Sequence, residues 1–218
     1  MLTSLKKQAI NYTLYLVTDR TLLSSHTLEQ AIEQALQGGC TLVQLREKNI
    51  SSREFYETAL RAKEITDHYN VPLIINDRTD ICKAIDACGV HIGQNDLPAK
   101  AVRSILGNKK IIGVSAATLA EAQQAEQDGA DYLGVGAMFP TTTKTNTRPV
   151  TLAQLTQIKA SVNIPVVAIG GIQLSNVASL AATHIDGIAV ISAILSQPNI
   201  TQAAQQLKKG FTGAIYEI

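Results

Sequence analysis

Residues 72–93 decide the fold, and they read PLIIND, RTDICKAIDAC and GVHIG in succession. The first and last pieces are short runs rich in Ile, Leu and Val, which are typical of strands covered on both faces. The segment between Asp77 and Gly89 has room for one short helix. A strand, a helix and a second strand in this order predict a β-α-β unit with parallel strands.

The same alternation continues in both directions along the chain. Eight apolar runs are predicted strands, at residues 13–19, 41–47, 72–77, 89–93, 111–116, 132–137, 165–171 and 187–192. Amphipathic segments predict helices between them, beginning with one at Thr27, where Thr27 and Gln30 have the spacing of a capping box. Further helices are predicted over residues 51–69, 118–128 and 152–160. Eight β-then-α units within 218 residues predict an α/β fold, the (β/α)₈ or TIM barrel.

An open, doubly wound sheet is the alternative architecture for alternating strands and helices. That sheet would need a glycine-rich turn after the first strand, but residues 17–25 read VTDRTLLSS. We therefore expect a single barrel domain over residues 1–218, with residues 1–12 forming an N-terminal helical extension.

Charge and composition argue against several classes of function. The net charge is +1 and aromatic residues make up 4% of the chain, so we expect no nucleic-acid partner. Cys40, Cys82 and Cys88 lack zinc-site spacing and are too few for a disulfide framework, so each is expected to be a small buried residue. No run approaches the roughly 20 apolar residues of a membrane span, and no signal peptide is visible, so the cytoplasm is the expected compartment.

Barrel enzymes carry their catalytic residues at the carboxyl ends of the strands. In the second predicted strand, Gln44, Arg46 and Lys48 share one face because side chains alternate. Two cations beside an amide predict an anion site at the barrel mouth. A surface salt-bridge cluster with Glu47 is the alternative interpretation.

Asp77 and Asp96 follow the third and fourth predicted strands, and neighbouring strands lie only about 4.8 Å apart. Two carboxylates at that separation repel unless a cation lies between them. Mg²⁺ fits, because it takes one or two carboxylates together with substrate phosphate oxygens. Beside Arg46 and Lys48, the pair predicts a metal-assisted diphosphate site. Taken singly, each aspartate is better interpreted as a helix cap.

A second anion site is predicted after the last three strands. Residues 141–144 (Thr-Thr-Thr-Lys) bring three hydroxyls and an ammonium into a long loop, residues 138–150, which is expected to act as a lid. Gly171 and the N–H groups near Ser192 occupy positions where barrels often bind phosphate. A tight turn is the alternative for Gly170 and Gly171.

Ser115 ends the fifth predicted strand, where its hydroxyl could contact a phosphate or a ring, or form a loop turn. We expect no histidine beside it, and therefore no nucleophile pair. His91 stands alone in its strand and is expected to be structural.

These motifs resemble thiamine phosphate synthase along nearly the whole chain, in the order LYLVTD, VQLREK, LIINDR, GVHIGQND, IIGVSA, GADYLGVG, FPTTTK, VVAIGGI and GIAVISAI. The resemblance implies a transferase that joins 4-amino-2-methyl-5-hydroxymethylpyrimidine diphosphate to 4-methyl-5-(2-phosphooxyethyl)thiazole. The products would be thiamine phosphate and pyrophosphate. The resemblance also implies Mg²⁺ as cofactor and a dissociative mechanism, in which pyrophosphate leaves before the thiazole nitrogen attacks.

The resemblance implies a role for each matching residue. The pyrimidine diphosphate would be bound by Gln44, Arg46, Lys48, Asn76, Ser115 and Lys144. The thiazole phosphate would be bound by Thr141, Thr142, Thr143, Gly171, Ile191 and Ser192. Mg²⁺ would be held by Asp77 and Asp96. The expected catalytic residues are Arg46, Lys48, Lys144 and Ser115.

Two positions depart from the family pattern, because relatives often have a histidine at Ala117 and a proline at Ala137. A thiazole tautomerase with the same barrel is one alternative, but it relies on that histidine, and Ala117 removes it. A non-catalytic barrel that binds thiamine precursors is another. The expected partners are these small molecules, without a membrane, and a homodimer is one candidate assembly.

Overall fold

The computed structural model describes residues 10–23, 26–141, 143 and 148–216, with only the backbone for residues 215 and 216. Its strands are β1 (Leu14–Val17), β2 (Leu42–Leu45), β3 (Leu73–Asn76), β4 (Gly89–Ile92), β5 (Ile111–Ala116), β6 (Tyr132–Val135), β7 (Val166–Ile169) and β8 (Gly187–Val190). They pair in parallel and in chain order, and β8 closes on β1. The predicted (β/α)₈ barrel and all eight predicted strands are confirmed.

The helices form the outer layer of the barrel. They are α1 (Leu28–Gln37), α2 (Ser52–His68), α3 (Thr79–Ala84), α4 (Ala99–Leu106), α5 (Leu119–Gln127), α6 (Leu152–Ser161), α7 (Ser192–Leu195) and α8 (Ile200–Tyr216). A 3₁₀ helix, Val177–Thr183, connects β7 to β8, and a shorter one, Arg20–Leu22, follows β1. Within the described ranges, no helix is both long enough and apolar enough to cross a membrane.

Local sequence signals explain where the helices begin. The predicted capping box of α1 forms, because Thr27 Oγ1 accepts a hydrogen bond from the Gln30 N–H and the Thr27 N–H donates to Gln30 Oε1. Side-chain caps also begin α2, α5 and α6, at Ser51, Thr118 and Thr151 respectively. The predicted helix starts are therefore confirmed at these positions.

Two apolar cores hold the barrel together. The larger lies between the strands and the helices and includes Leu45, Ile75 and Val90. The smaller fills the barrel interior toward the amino ends of the strands, where the rings of Tyr12, Tyr15 and Tyr132 pack together. This apolar plug leaves the carboxyl ends of the strands as the open mouth of the barrel.

The part of the predicted N-terminal extension that the structure describes, residues 10–12, is not helical. Tyr12 is buried instead, with its ring centroid 5.0 Å from that of Tyr132. Residues 1–9 lie outside the described residues, so a helix there stays a prediction.

Candidate active site

The two predicted cations lie just beyond β2, and each is paired with an aspartate from a neighbouring strand end. Arg46 Nη1 donates to Asp19 Oδ2 at 2.9 Å, and Lys48 Nζ lies 2.6 Å from Asp77 Oδ2. The alternative cluster with Glu47 does not form around these cations, because the buried Glu47 carboxylate accepts from Arg20. The Lys48 side chain stays half exposed, so both charge pairs border the barrel mouth.

The two predicted metal ligands come together. Asp77 has a left-handed backbone, with φ of 61°, and its N–H donates to the His91 carbonyl at 2.8 Å, which fixes the end of β3 against β4. Asp96 Oδ2 accepts from the Gly93 N–H at 2.7 Å. Burial raises the pKa of Asp96, and direct interaction with the Asp77 carboxylate raises it further.

Neither aspartate is a helix cap, so the alternative reading of this pair is wrong. The residue before α3 is Arg78, and the residue before α4 is Pro98, and neither helix receives a side-chain cap hydrogen bond. Arg78 instead forms a local ion pair with Asp80. Asp77 and Asp96 are therefore free of a capping role.

The described residues contain no group of three or more His, Cys, Asp or Glu side chains arranged to hold a metal ion. Asp77 and Asp96 supply two carboxylates, which is the number that Mg²⁺ takes when substrate oxygens and water complete its shell. The hard oxygen donors and their mutual repulsion fit a divalent cation, with Lys48 as the present counter-charge.

The expectation that Ser115 has no histidine beside it is wrong. His91 Nε2 lies 2.9 Å from Ser115 Oγ, and His91 Nδ1 lies 2.9 Å from the Tyr132 hydroxyl. Strand pairing explains the contact, because His91 of β4 pairs with Gly113 of β5, so inward side chains at 91 and 115 are neighbours. His91 is therefore not isolated, because each of its ring nitrogens has a polar neighbour, whereas its expected structural role stays a prediction.

Gln44 lies across the barrel interior from Ser115. It is buried, and its Nε2 donates to the Tyr15 hydroxyl at 2.8 Å, which in turn lies 2.8 Å from the Tyr132 hydroxyl. Asn76, the last residue of β3, pairs with His91 of β4 and is half-buried at the same level. The structure thus gathers Gln44, Asn76 and Ser115 at the top of the barrel interior.

The residues of the predicted phosphate site line an open cavity at the ends of β7 and β8. Its lining includes Thr141, Thr143, Gly171, Ile191 and Ser192, all from the predicted set. Ser192 begins α7, so backbone N–H groups of that turn border the cavity. The remaining two predicted residues of this region, Thr142 and Lys144, lie outside the described residues.

Gly171 shapes this cavity by a close approach that no side chain could share. Its φ is +65°, and a Cβ there would lie 2.5 Å from the Pro140 carbonyl oxygen and 2.6 Å from that of Phe139. The glycines after β7 are therefore more than a tight turn, because they let the loop after β6 lie against the cavity wall.

The carboxyl end of the loop over residues 138–150 is anchored. Arg148 Nη1 and Nη2 donate to Glu121 Oε1 and Oε2 at 2.7 and 2.9 Å. Glu121 Oε2 also accepts from the Ala117 N–H, and Ala137 exchanges backbone hydrogen bonds with Arg148 and Val150. Arg148 therefore holds the base of the predicted lid against α5.

Four site residues escaped the sequence reasoning: Asp19, Tyr15, His91 and Tyr132. Asp19 ends the first predicted strand, so the strand-end rule that found Asp77 could have found it. The other three occupy alternate, inward positions of their strands, and period-two alternation carries that information. Nothing in the sequence reports that the three side chains touch.

The sequence matches one family of known proteins along most of its length. A sequence profile of thiamine monophosphate synthase matches residues 14–194. The thiamine-phosphate synthase of Ruminiclostridium cellulolyticum is 58% identical over 205 residues, covering 94% of this chain and 98% of that protein. The enzyme of the same name from Clostridium beijerinckii is 54% identical with the same coverage.

Solved structures give the same result. Thiamine phosphate pyrophosphorylase from Pyrococcus furiosus is 39% identical with a TM-score of 0.88, covering 94% of this chain and 98% of that one. A 3-hexulose-6-phosphate synthase with a TM-score of 0.68 is 18% identical, covers 91% of this chain and 99% of that one, and shares the fold alone. The chain therefore belongs to the thiamine monophosphate synthase family and is a transferase of thiamine biosynthesis.

Proposed function

We propose that this barrel condenses 4-amino-2-methyl-5-hydroxymethylpyrimidine diphosphate with 4-methyl-5-(2-phosphooxyethyl)thiazole, giving thiamine phosphate and pyrophosphate. One observation carries the proposal: two polar clusters of different character lie on opposite sides of the mouth. The cationic and acidic cluster follows β2 to β4, whereas the cavity lined by backbone and hydroxyl groups follows β6 to β8. A diphosphate suits the first and a monophosphate suits the second.

The diphosphate site would use two kinds of cation. Arg46 offers a planar guanidinium that can bind two phosphate oxygens at once, and Lys48 offers a compact charge. Both now bind aspartates, so a diphosphate would draw them away from Asp19 and Asp77. Lys144 would add a third positive charge from the loop. Gln44, Asn76 and Ser115 would contact the pyrimidine ring.

The residues present fit Mg²⁺ at Asp77 and Asp96. Two neighbouring carboxylates raise the energy of the doubly charged state, and a divalent cation relieves that repulsion. Losing Lys48 to the diphosphate would strengthen the need for one. When bound, Mg²⁺ would supply neutralisation of the charge on the departing pyrophosphate.

The thiazole phosphate would lie in the cavity at the ends of β7 and β8. Thr141, Thr142 and Thr143 would offer hydroxyl groups, while Gly171, Ile191 and Ser192 would offer backbone N–H groups. A site made of neutral donors discriminates by geometry, so it would fix the thiazole nitrogen toward the pyrimidine. Alignment of two bound rings is itself a large part of catalysis.

We assign the reaction a dissociative course. Arg46, Lys48 and Lys144 would hold the negative charge that builds on pyrophosphate as its bond to the pyrimidine methylene breaks. The aminopyrimidine would carry the resulting methylene cation, and the thiazole nitrogen would then form the new bond. No protein nucleophile takes part, so the chain contributes electrostatic stabilisation and orientation.

The test measures pyrophosphate release and thiamine phosphate formation, omitting the metal and each substrate in turn. We expect equal amounts of both products, and only with all three present. Asp77→Asn should lose most turnover while keeping its far-UV circular dichroism. Asp80→Asn, which changes the adjacent surface pair with Arg78, is the matched control and should turn over normally. Normal turnover in Asp77→Asn would refute the proposal that Asp77 binds a required Mg²⁺.

The same assay separates the alternatives. A non-catalytic precursor-binding barrel would bind both molecules and release no pyrophosphate. A tautomerase would convert the thiazole without the pyrimidine, and the buried methyl group of Ala117 offers it no acid or base. We also propose that the protein is cytoplasmic and forms a homodimer. Light scattering after gel filtration measures the oligomeric state.

A further inference from the structure

Five buried or half-buried side chains form one hydrogen-bonded chain across the barrel interior. Gln44 of β2, Tyr15 of β1, Tyr132 of β6, His91 of β4 and Ser115 of β5 are joined in that order by contacts of 2.8, 2.8, 2.9 and 2.9 Å. We call this the Gln44–Ser115 chain. Its two ends are residues assigned above to the pyrimidine ring, and its three middle members connect those ends.

The backbone makes room for this chain. A Cβ on Gly113 would lie 2.1 Å from Cζ of Tyr132, and one on Gly134 would lie 3.0 Å from Cε1 of His91. Both glycines have ordinary strand conformations. Glycine is needed at these positions because the neighbouring rings leave no space for a side chain, and not because the backbone is unusual. The interior is therefore shaped around the two rings.

The proton on each member can be followed along the chain. Burial raises the pKa of Tyr15 and of Tyr132 far above neutrality, so each phenol keeps one proton to donate. The Gln44 amide N–H donates to the Tyr15 hydroxyl, and the Tyr15 proton is then available to the Tyr132 hydroxyl, 2.8 Å away. The Tyr132 hydroxyl then donates to His91 Nδ1.

This direction fixes the state of His91. With Nδ1 accepting, the neutral imidazole carries its proton on Nε2 and donates it to Ser115 Oγ. The Ser115 hydroxyl proton is then left to point at the substrate. If the Gln44 amide were rotated, every hydrogen bond would run in the opposite direction. Ser115 would then donate to His91 and could only accept a hydrogen bond from the substrate.

We infer that Tyr15, Tyr132 and His91 are positioning residues, which make Ser115 a hydrogen-bond donor toward a ring nitrogen of the pyrimidine. The inference rests on the proposed function, because it assumes that a pyrimidine lies against Ser115. It also explains why a serine beside a histidine is not a nucleophile here: His91 Nε2 already bears a proton and cannot take another from Ser115.

Two measurements test this inference. The first is the tautomer of His91 by nitrogen-15 NMR of the ligand-free protein, with His91→Asn identifying its signals. We expect a protonated Nε2 in the wild type and loss of that preference in Tyr132→Phe, which keeps the ring and removes the hydroxyl. A protonated Nδ1 in the wild type would overturn the inference, and this result does not depend on activity.

The second measurement is steady-state kinetics. Tyr132→Phe should lower kcat/KM for the pyrimidine diphosphate about tenfold and leave the KM for the thiazole phosphate within about twofold. Tyr12→Phe, whose ring packs on Tyr132 in the same interior, is the matched control and should match the wild type. Equal kinetics in Tyr132→Phe and Tyr12→Phe would overturn the positioning role.

A second variant protects the test against misfolding. Tyr15→Phe cuts the chain at its other phenol, and we expect the same loss confined to the pyrimidine diphosphate. If the wild type releases no pyrophosphate at all, the proposed function fails. The His91 tautomer still tests the hydrogen-bond direction of the Gln44–Ser115 chain. A proton on Nε2 together with unchanged kinetics in both phenylalanine variants would refute the inference alone.

Discussion

Adding one methyl group at Gly113 should destabilise the barrel severely. The new Cβ would lie 2.1 Å from Cζ of Tyr132, and ordinary contact begins at 3.4 Å, so the fully buried ring must withdraw by more than about 1 Å. That movement breaks the hydrogen bonds of Tyr132 with Tyr15 and His91. Overpacking costs about 2 kcal/mol, and two buried hydrogen bonds add about 1 kcal/mol each, so the loss is about 4 kcal/mol.

Urea unfolding followed by circular dichroism measures this loss. With a slope of about 3 kcal/mol per molar urea, the midpoint of Gly113→Ala should fall by about 1.3 M. Gly213→Ala is the control, because a Cβ there meets nothing within 4 Å and the position is helical. The control should be unchanged or up to about 1 kcal/mol more stable. If the two midpoints agree within error, the interior is not packed around Tyr132 as described.

Three further predictions follow from other parts of the molecule. Gly171→Ala should raise the KM for the thiazole phosphate more than the KM for the pyrimidine diphosphate, because its Cβ would displace the Phe139 and Pro140 carbonyls at the wall of the cavity; equal effects would argue against two separate sites. Arg148 lowers the pKa of Glu121, so the stability from this pair is present at pH 7 and is lost as the pH falls through that lowered pKa. Glu121→Gln should therefore differ from the wild type at pH 7, by less than about 1 kcal/mol since Arg148 is 56% exposed. In urea titrations this difference should shrink as acid protonates Glu121; a difference that stays constant with pH would exclude the ion pair as its cause. Burial raises the pKa of Cys40 and of Cys82 to about 12, so a thiol reagent at pH 8 should modify neither before unfolding, as mass spectrometry can show; rapid labelling of either would contradict its burial.

The architecture can be predicted from the sequence because each strand has a recognisable local pattern. β3 begins with three apolar residues, Leu-Ile-Ile, and the helices begin at caps such as Thr27 and Ser51, so strand and helix positions follow from short-range patterns. Strand ends then predict the site, because parallel strands deliver their carboxyl ends to one face. Arg46, Lys48, Asp77 and Asp96 meet there as predicted.

The sequence does not predict which side chains contact one another across the barrel. Tyr15 and Tyr132 are separated by 117 positions, and the contact of His91 with Ser115 depends on the register of β4 against β5. Strand register and barrel closure are set by the whole sheet, so no local pattern reports them. The pairing of Lys48 with Asp77 is equally invisible, since either residue alone predicts only a charge at the mouth.

The Gln44–Ser115 chain also has a mechanical consequence. It draws members from five different strands, β2, β1, β6, β4 and β5, and so it braces the walls of the barrel across its width. Without such contacts across the interior, the hydrogen bonds between neighbouring strands would have to resist flattening of the barrel with less help. The Gln44–Ser115 chain therefore resists changes in the distance between the strands that carry the cationic and acidic cluster and the strands that border the cavity.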